Sequence, residues 1–297
     1  MSEIPDFRSA VSDYSAAIEP ILRRSTLFVP AMESTFAVQV ERGEVLPEVM
    51  AGNGAKRDNL VERLIVLALG GRHHEAVIVD QSGHQRSVYR PLLVYAWLQA
   101  FKLEYEKLSR ETFGRWEEAL RIWCDGLEAT LARVGGDSIP ASAGAQAAES
   151  AWTALALHVA GRLFIRDAWT DLASDMFGRL ARVQRPAGTF LEASGSDNPE
   201  VAWYHELQIL NAAASYAVQA EDRTVAAAVQ RATAFHVAET QPDHASAQPW
   251  GLFAFIWNAE ARSLADQVLH AVSMQSEPDG VSLILLAESL YCLRLFL

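Results

Sequence analysis

The sequence predicts an all-α fold in which apolar helices form an inner layer and amphipathic helices form an outer one. Two observations predict it: helical segments of two kinds alternate along the chain, and breaks rich in proline and glycine follow the amphipathic segments. A helix that is apolar on all sides must be enclosed by protein, whereas a helix with one apolar stripe covers a core and faces water. The alternation is therefore typical of a ring of helical hairpins, whether complete or partial.

The alternation is clearest from residue 87 onward. Residues 87–105 are apolar nearly all round, and residues 110–133 carry apolar side chains at three- and four-residue steps. Further apolar segments are 150–164, 201–218, 249–259 and 281–297, and further amphipathic segments are 171–184, 223–240 and 261–275.

Three of the amphipathic segments end in a similar phrase. Gln184, Gln241 and Gln275 each stand at the predicted helix end, with proline and then glycine or a polar turn after them. Proline cannot continue a helix, and glycine suits the C-terminal cap. The unequal spacing of the phrases indicates a degenerate repeat of helix pairs.

The alternation, together with the Gln–turn–Gly–aromatic phrase at 184–190, resembles the α/α-toroid folds. These include the six-hairpin glycosidases, the toroidal polysaccharide lyases and the relatives of the terpene cyclases. The resemblance covers roughly residues 87–297 and implies a single α/α-toroid domain over 1–297. We expect residues 1–86 to close or cap the ring as a small irregular or β-containing part. Within them, 5–25 and 56–71 predict helices and 73–87 predicts a short hairpin.

Composition excludes several classes of partner. The formal net charge is −12, and from Arg185 to the end there are 13 acidic residues against 5 arginines, with no lysine. Nucleic acids and anionic membrane surfaces are therefore not expected as partners. Apolar runs fall short of a membrane span. Cys124 and Cys292 are the only cysteines, which favours a reducing, cytoplasmic setting and excludes a thiolate metal cluster. Small ligands and protein partners stay open, as does the oligomeric state.

The ring hypothesis predicts where a site would lie. Inner helices of a hairpin ring run parallel, so that their N-terminal ends, with unpaired N–H groups, collect at one end. Side chains in the first turns should face a common funnel there. They are Tyr89, Arg90, Glu149, Trp152, Trp203, Tyr204, His205, Glu206, Gln248, Trp250, Asp279 and Ser282.

The aromatic, imidazole and carboxylate groups of this set suit a sugar, and we expect oligosaccharide binding or processing. Hydrolysis would need two carboxylates, for which Glu149 and Glu206 are available, with Asp279 as the alternate. Elimination would use Tyr204 or His205 as the base. We therefore expect catalytic roles for His205, Tyr204, Glu206 and Glu149. Substrate-binding roles are expected for Arg90, Trp152, Trp203, Trp250 and Asp279. No metal or cofactor is predicted.

Two other functions are carried as alternatives. The first is a non-catalytic ring that binds a ligand or a protein, since Trp and Tyr at helix ends often pack structurally and Glu206 complements a helix dipole. The second is terpenoid or prenyl chemistry, which rests on fold analogy alone. Among the histidines, we expect His158 in the core and both His236 and His270 on the surface. His73, His74 and His84 lack the H-E-x-x-H spacing of a zinc site.

Overall fold

The computed structural model describes most of the helical chain. Its described residues are 4–24, 39–40, 76–79, 85–88, 91, 92, 94, 95, 98, 99, 110–134, 144–191, 199–239, 248–275, 278 and 280–297. The helices are α1 (Ile4–Arg24), α2 (Arg110–Val134), α3 (Gly144–Phe164), α4 (Asp167–Val183), α5 (Pro199–Gln219), α6 (Arg223–Glu239), α7 (Leu252–Trp257), α8 (Arg262–Met274) and α9 (Gly280–Arg294). A 3-10 turn spans Ala259–Ala261.

The predicted all-α class is confirmed, because helices make up most of the described chain. The N-terminal part also contains three short strands: β1 (Gln39–Val40), β2 (Ala76–Val79) and β3 (Gln85–Val88). Strands β2 and β3 pair antiparallel, with Val77 opposite Ser87, so the hairpin predicted at 73–87 is present. Strand β1 pairs antiparallel with the other edge of β2.

We call α3, α5, α7 and α9 the apolar helices. Every residue of α5 from Glu206 to Ala217 is buried, and so is every residue of α3 from Ser150 to Gly161. Such helices are stable only when other helices surround them, since they have no polar face that could be exposed to solvent. Accordingly, α5 packs against α3, α7 and α9, and α7 packs against α9.

We call α1, α2, α4, α6 and α8 the amphipathic helices. In α4 the buried positions recur at three- and four-residue steps and include Trp169, Met176 and Phe177. This side of α4 packs on α3. The indole N–H of Trp169 also donates to Glu128 of α2 over 2.8 Å, which joins two amphipathic helices.

Helix α1 covers the last apolar helix of the chain. It packs against α9, with further contacts to α7 and α8. Polar contacts hold it there. Tyr14 donates its hydroxyl hydrogen to Asp266 over 2.8 Å, Arg262 pairs with Asp6 at 2.7 Å, and Arg294 pairs with Glu19 at 2.7 Å. The first and last helices of the described chain are thereby neighbours.

Two helix pairs turn through a left-handed residue that is not glycine. Ile165, between α3 and α4, has φ 55°, and Glu221, between α5 and α6, has φ 54°. In each turn the next N–H bonds back to a carbonyl five residues earlier: Arg166 to Gly161 over 2.8 Å and Asp222 to Ala217 over 3.0 Å. This is the Schellman arrangement, in which glycine is the usual left-handed residue.

None of the described helices combines the length and the apolar content that a bilayer crossing requires. The apolar helix α9 contains the buried carboxyl group of Glu288.

Candidate functional site

Aromatic side chains form a connected cluster near the N-terminal ends of the apolar helices. The ring of Trp152 lies 5.6 Å from that of Tyr95 and 6.1 Å from that of Trp250. Tyr204 then lies 5.8 Å from Trp250 and 5.4 Å from His205. The cluster brings together four side chains that the sequence predicted for a site. Trp152 and Trp250 are fully buried, however, so that protein groups cover both indole rings.

Glu206 holds a turn in this region. Its two carboxylate oxygens accept hydrogen bonds from the backbone N–H groups of Phe190 and Leu191, over 2.7 and 2.9 Å. Burial raises the pKa of Glu206 to about 7, although the two hydrogen bonds act in the opposite direction. Both oxygens of the predicted catalytic carboxylate are therefore engaged in fixing the chain before α5.

The Gln–turn–Gly phrase forms the rest of this turn. The side-chain amide of Gln184 donates to the carbonyl groups of Gly188 and Ala228, over 2.6 and 2.8 Å. Its oxygen accepts from Nε of Arg231 over 2.8 Å. Gln184 thus ties the end of α4 to α6. Gly188 has φ 102°, and a Cβ there would lie 2.6 Å from the carbonyl oxygen of Arg231, so this close approach requires glycine.

The other predicted residues occupy different surroundings. Trp203 is half-buried and faces α6, with its ring 5.3 Å from Phe235. His205 is half-buried beside Gly144, and burial lowers its pKa, which favours the neutral imidazole. Glu149 is half-buried in α3. Arg90 and Asp279 lie outside the described residues.

Of the predictions for His158, His236 and His270, two are confirmed and one is wrong. His158 is buried with its ring edge-on to Tyr216 at 5.0 Å, which confirms its place in the core, and His270 is exposed as expected. The surface prediction for His236 is wrong. It is completely buried between α5 and α6, against Trp203 at 6.1 Å, and burial lowers its pKa to about 3.

A cavity of about 730 Å³ lies at the opposite ends of the apolar helices, which we call the C-terminal pole. Side chains from the final turns of α3, α5, α7 and α9 line it, which means that these four helices end on the same side. The lining residues are Val159, Arg162, Leu163, Ala217, Val218, Gln219, Glu221, Asp222, Arg223, Ala226, Trp257, Tyr291, Leu295 and Phe296.

The charged residues that line the cavity have no net charge. They are two arginines, Arg162 and Arg223, and two acidic residues, Glu221 and Asp222. Arg162 donates to the carbonyl group of Gln219 over 2.9 Å. Asp222 accepts from the N–H groups of the first turn of α6 over 2.8 and 3.1 Å and so caps that helix. The cap leaves the start of α6 unsuited to an anion.

No family model matches this chain. No curated protein and no solved structure matches it either. Within the described ranges, no three His, Cys, Asp or Glu side chains are grouped so that they could hold a metal ion.

The cavity was not predicted from the sequence, because the unpaired N–H groups and the helix dipoles favour a site at the N-terminal ends. A signal for the other end was visible. Arg162, Gln219 and Tyr291 are polar side chains near the C-terminal ends of segments that are otherwise apolar. Polar groups in such places either pair with a neighbour or face an open space. The cavity itself depends on the gaps that the packed side chains leave, and these gaps cannot be predicted from the periodicity of the sequence.

Proposed function

We propose that the apolar and amphipathic helices form an α/α toroid. The common direction of α3, α5, α7 and α9 supports this arrangement, as does the burial of α5 among three other apolar helices. Tyr95 supports a further member before α2, since its ring packs on Trp152 of α3 and its hydroxyl accepts from Gln219 of α5 over 3.2 Å. In this scheme α1 serves as the amphipathic partner of α9.

We further propose that the protein binds a neutral, hydroxyl-rich small molecule of the carbohydrate class in the cavity at the C-terminal pole. The observation that carries this proposal is the composition of the lining: half-buried Trp257 and Tyr291 line the same cavity as two arginines and two acidic residues. The volume of about 730 Å³ lies within the roughly 300–1,000 Å³ typical of small-molecule pockets.

The chemistry of a sugar matches this lining in two ways. Sugar hydroxyl groups both donate and accept, so they can satisfy carboxylates, guanidinium groups and the amide of Gln219 together. The C–H face of a sugar ring can lie on an aromatic ring such as Trp257. Because Arg162 and Arg223 are matched by Glu221 and Asp222, the cavity offers no surplus positive charge for a phosphate group or a polyanion.

Binding without hydrolysis is the function that these groups favour. Hydrolysis requires two carboxyl groups on opposite sides of one glycosidic bond. Glu206 is buried with both oxygens engaged, so that its pairing with Glu149 would need the turn before α5 to open. In the cavity, Glu221 and Asp222 are consecutive, and Asp222 caps α6. The non-catalytic ligand-binding alternative therefore fits better.

Elimination at the N-terminal ends of the apolar helices is a second candidate, and one observation favours it. The ring of His205 lies edge-on to that of Tyr204 with ring centres 5.4 Å apart, and burial lowers the pKa of His205, which favours the form of the imidazole that can accept a proton. Arg90 would neutralise the sugar carboxylate in this scheme. Loss of uronic-oligosaccharide cleavage in a folded His205→Ala variant would support it.

The binding proposal is tested by calorimetric titration of the full chain with neutral and uronic mono- and oligosaccharides. We expect a neutral sugar to bind, and Trp257→Ala to weaken that binding at least tenfold. Trp203→Ala is the matched control, because Trp203 is also half-buried but packs on Phe235 away from the cavity. Absence of binding by every neutral sugar, or equal losses in the two variants, would overturn the proposal.

We also propose that the protein resides in a reducing compartment. Cys124 and Cys292 are both buried as thiols, on α2 and α9. Proteins with few, buried cysteine thiols are typical of the cytoplasm, where thiols stay reduced. We accordingly propose a cytoplasmic protein, which fractionation of the cells that express it would test.

A further inference from the structure

We infer that the ligand of the cavity is amphipathic: a glycoside whose sugar carries an apolar substituent. This inference rests on the proposed carbohydrate function and makes it more specific. It comes from the mixed lining of the cavity, in which most of the charged side chains belong to the turn between α5 and α6 and three large, mainly apolar side chains belong to the end of α9 and the residues after it.

The polar side belongs mainly to the turn between α5 and α6. Gln219, Glu221, Asp222 and Arg223 follow one another there, and Arg162 of α3 is joined to this turn through the carbonyl group of Gln219. Glu221 occupies the left-handed region in that turn, with φ 54°, where glycine is preferred. A carboxylate is thus held at the cavity in spite of an unfavourable backbone conformation.

The apolar side belongs to the end of α9 and the residues after it. Tyr291, Leu295 and Phe296 all line the cavity, and Val159 and Leu163 of α3 are further apolar lining residues. Phe296 is fixed by an edge-on contact with Phe7 of α1, with ring centres 5.0 Å apart. Leu295, which also lines the cavity, has 48% of its surface exposed. The cavity therefore has a positioned apolar wall that protein groups leave partly uncovered.

A plain sugar would satisfy only half of this lining. Its hydroxyl groups would reach the polar turn, but the wall formed by Leu295 and Phe296 would stay wet or face hydroxyl groups. An alkyl or aryl substituent on the anomeric oxygen would cover the wall, and each methylene group that becomes fully buried raises affinity roughly fourfold. An alcohol without the sugar would cover the wall but would offer only one hydroxyl group to the polar side chains of the turn.

The experiment compares ligands of one series on the full chain by calorimetry. The probes are the methyl and hexyl β-D-glucopyranosides, the corresponding galactosides and mannosides, and 1-hexanol. We expect the hexyl glycoside of at least one sugar to bind at least tenfold more tightly than its methyl glycoside, and 1-hexanol to bind far more weakly than either.

Three variants locate the effect. Leu295→Ser should remove most of the advantage of the hexyl chain and leave methyl glycoside binding within twofold. Leu297→Ser is the matched control, because Leu297 is 76% exposed and outside the lining, and it should change nothing. Glu221→Asn, which tolerates the left-handed turn, should weaken both glycosides by a similar factor.

The outcomes separate the inference from the proposed function. Equal affinities for methyl and hexyl glycosides would overturn the amphipathic ligand while leaving carbohydrate binding in place. If 1-hexanol bound as tightly as the hexyl glycosides, the sugar would contribute nothing and both proposals would fail. Binding by no member of the series would likewise overturn both.

Discussion

Asn211 of α5 donates a hydrogen bond to the buried carboxyl group of Glu288 of α9, with 2.5 Å between Nδ2 and Oε2. The side-chain oxygen of Asn211 accepts from the N–H group of Gly251, just before α7, over 3.0 Å. Ser215 of α5 donates to the other oxygen of Glu288. One asparagine thus links three apolar helices through a polar contact within an apolar interior, where such contacts are costly to leave incomplete.

Glu288 makes stability depend on pH. Burial raises its pKa from 4.5 to about 7, so the folded state favours the protonated form. The stabilisation that this provides is complete below the unfolded pKa near 4.5 and is lost as the pH rises through about 7. Glu288→Gln should remove the penalty, because an amide can accept from Asn211 and donate to Ser215. We expect the free energy of unfolding in urea to rise by about 1–3 kcal/mol at pH 8 and to change little at pH 5.

The control for this experiment is the pH dependence of stability that remains in the Glu288→Gln variant. Glu206 has a pKa raised in the same direction by burial, to about 7, so the Glu288→Gln variant should still lose some stability between pH 5 and pH 8. A difference between variant and wild type that is the same at both pH values would contradict the assignment of the titration to Glu288.

Glu206→Ala should destabilise the fold by about 2–4 kcal/mol, because the N–H groups of Phe190 and Leu191 would lose their acceptor inside the protein. Glu149→Ala is the matched control, since Glu149 is half-buried and should change the free energy of unfolding by about 0.5 kcal/mol or less. Denaturant unfolding measures both. Equal small effects would mean that Glu206 does not anchor the turn.

Gly188→Ala should cost about 2–4 kcal/mol, because φ is 102° and the added Cβ would lie 2.6 Å from the carbonyl oxygen of Arg231. Gly178→Ala provides the contrast. Gly178 lies within α4, where the nearest atom to an added Cβ is Nη1 of Arg182 at 3.5 Å, and alanine should gain about 0.5–1 kcal/mol. Thermal and urea unfolding of the two variants should move in opposite directions. Tolerance of alanine at position 188 would contradict the described turn.

Ile165→Gly should stabilise the protein by about 1 kcal/mol, since a β-branched residue at φ 55° costs roughly 1–2 kcal/mol and glycine loses part of that gain through its own chain entropy. The isoleucine side chain is 88% exposed, so little packing is lost. Ile165→Ala keeps the unfavourable conformation and should show no comparable gain. A loss of stability on Ile165→Gly, measured by the urea midpoint, would show that the side chain makes a contact that matters.

The helices themselves could be predicted because their signals are local. The predicted segment 223–240 became α6 at Arg223–Glu239, and 171–184 became most of α4 at Asp167–Val183. A stripe at three- and four-residue steps, with glutamine and proline after it, needs no knowledge of distant residues. The hydrogen bonds of the Gln184 side chain could not be predicted from such a local pattern, because their partners Ala228 and Arg231 belong to another helix.

The features that escaped prediction depend on residues far apart in the chain. The contact of Tyr14 with Asp266 places α1 against the end of the chain, and no local pattern announces that pairing. His236 looked like a surface group because α6 is rich in alanine and its buried side is hard to identify. Trp203 closes over it from α5. The cavity is likewise a product of how several helix ends meet.

Hydrogen–deuterium exchange with and without a saturating glycoside is the decisive test of a ligand site at the C-terminal pole. We expect slower exchange at 217–226 and 291–296, the two segments that contain most of the lining residues, with no change at 185–191 or 203–206. Protection confined to 185–191 and 203–206 would instead place the ligand near Tyr204 and His205 and rule out a site at the C-terminal pole.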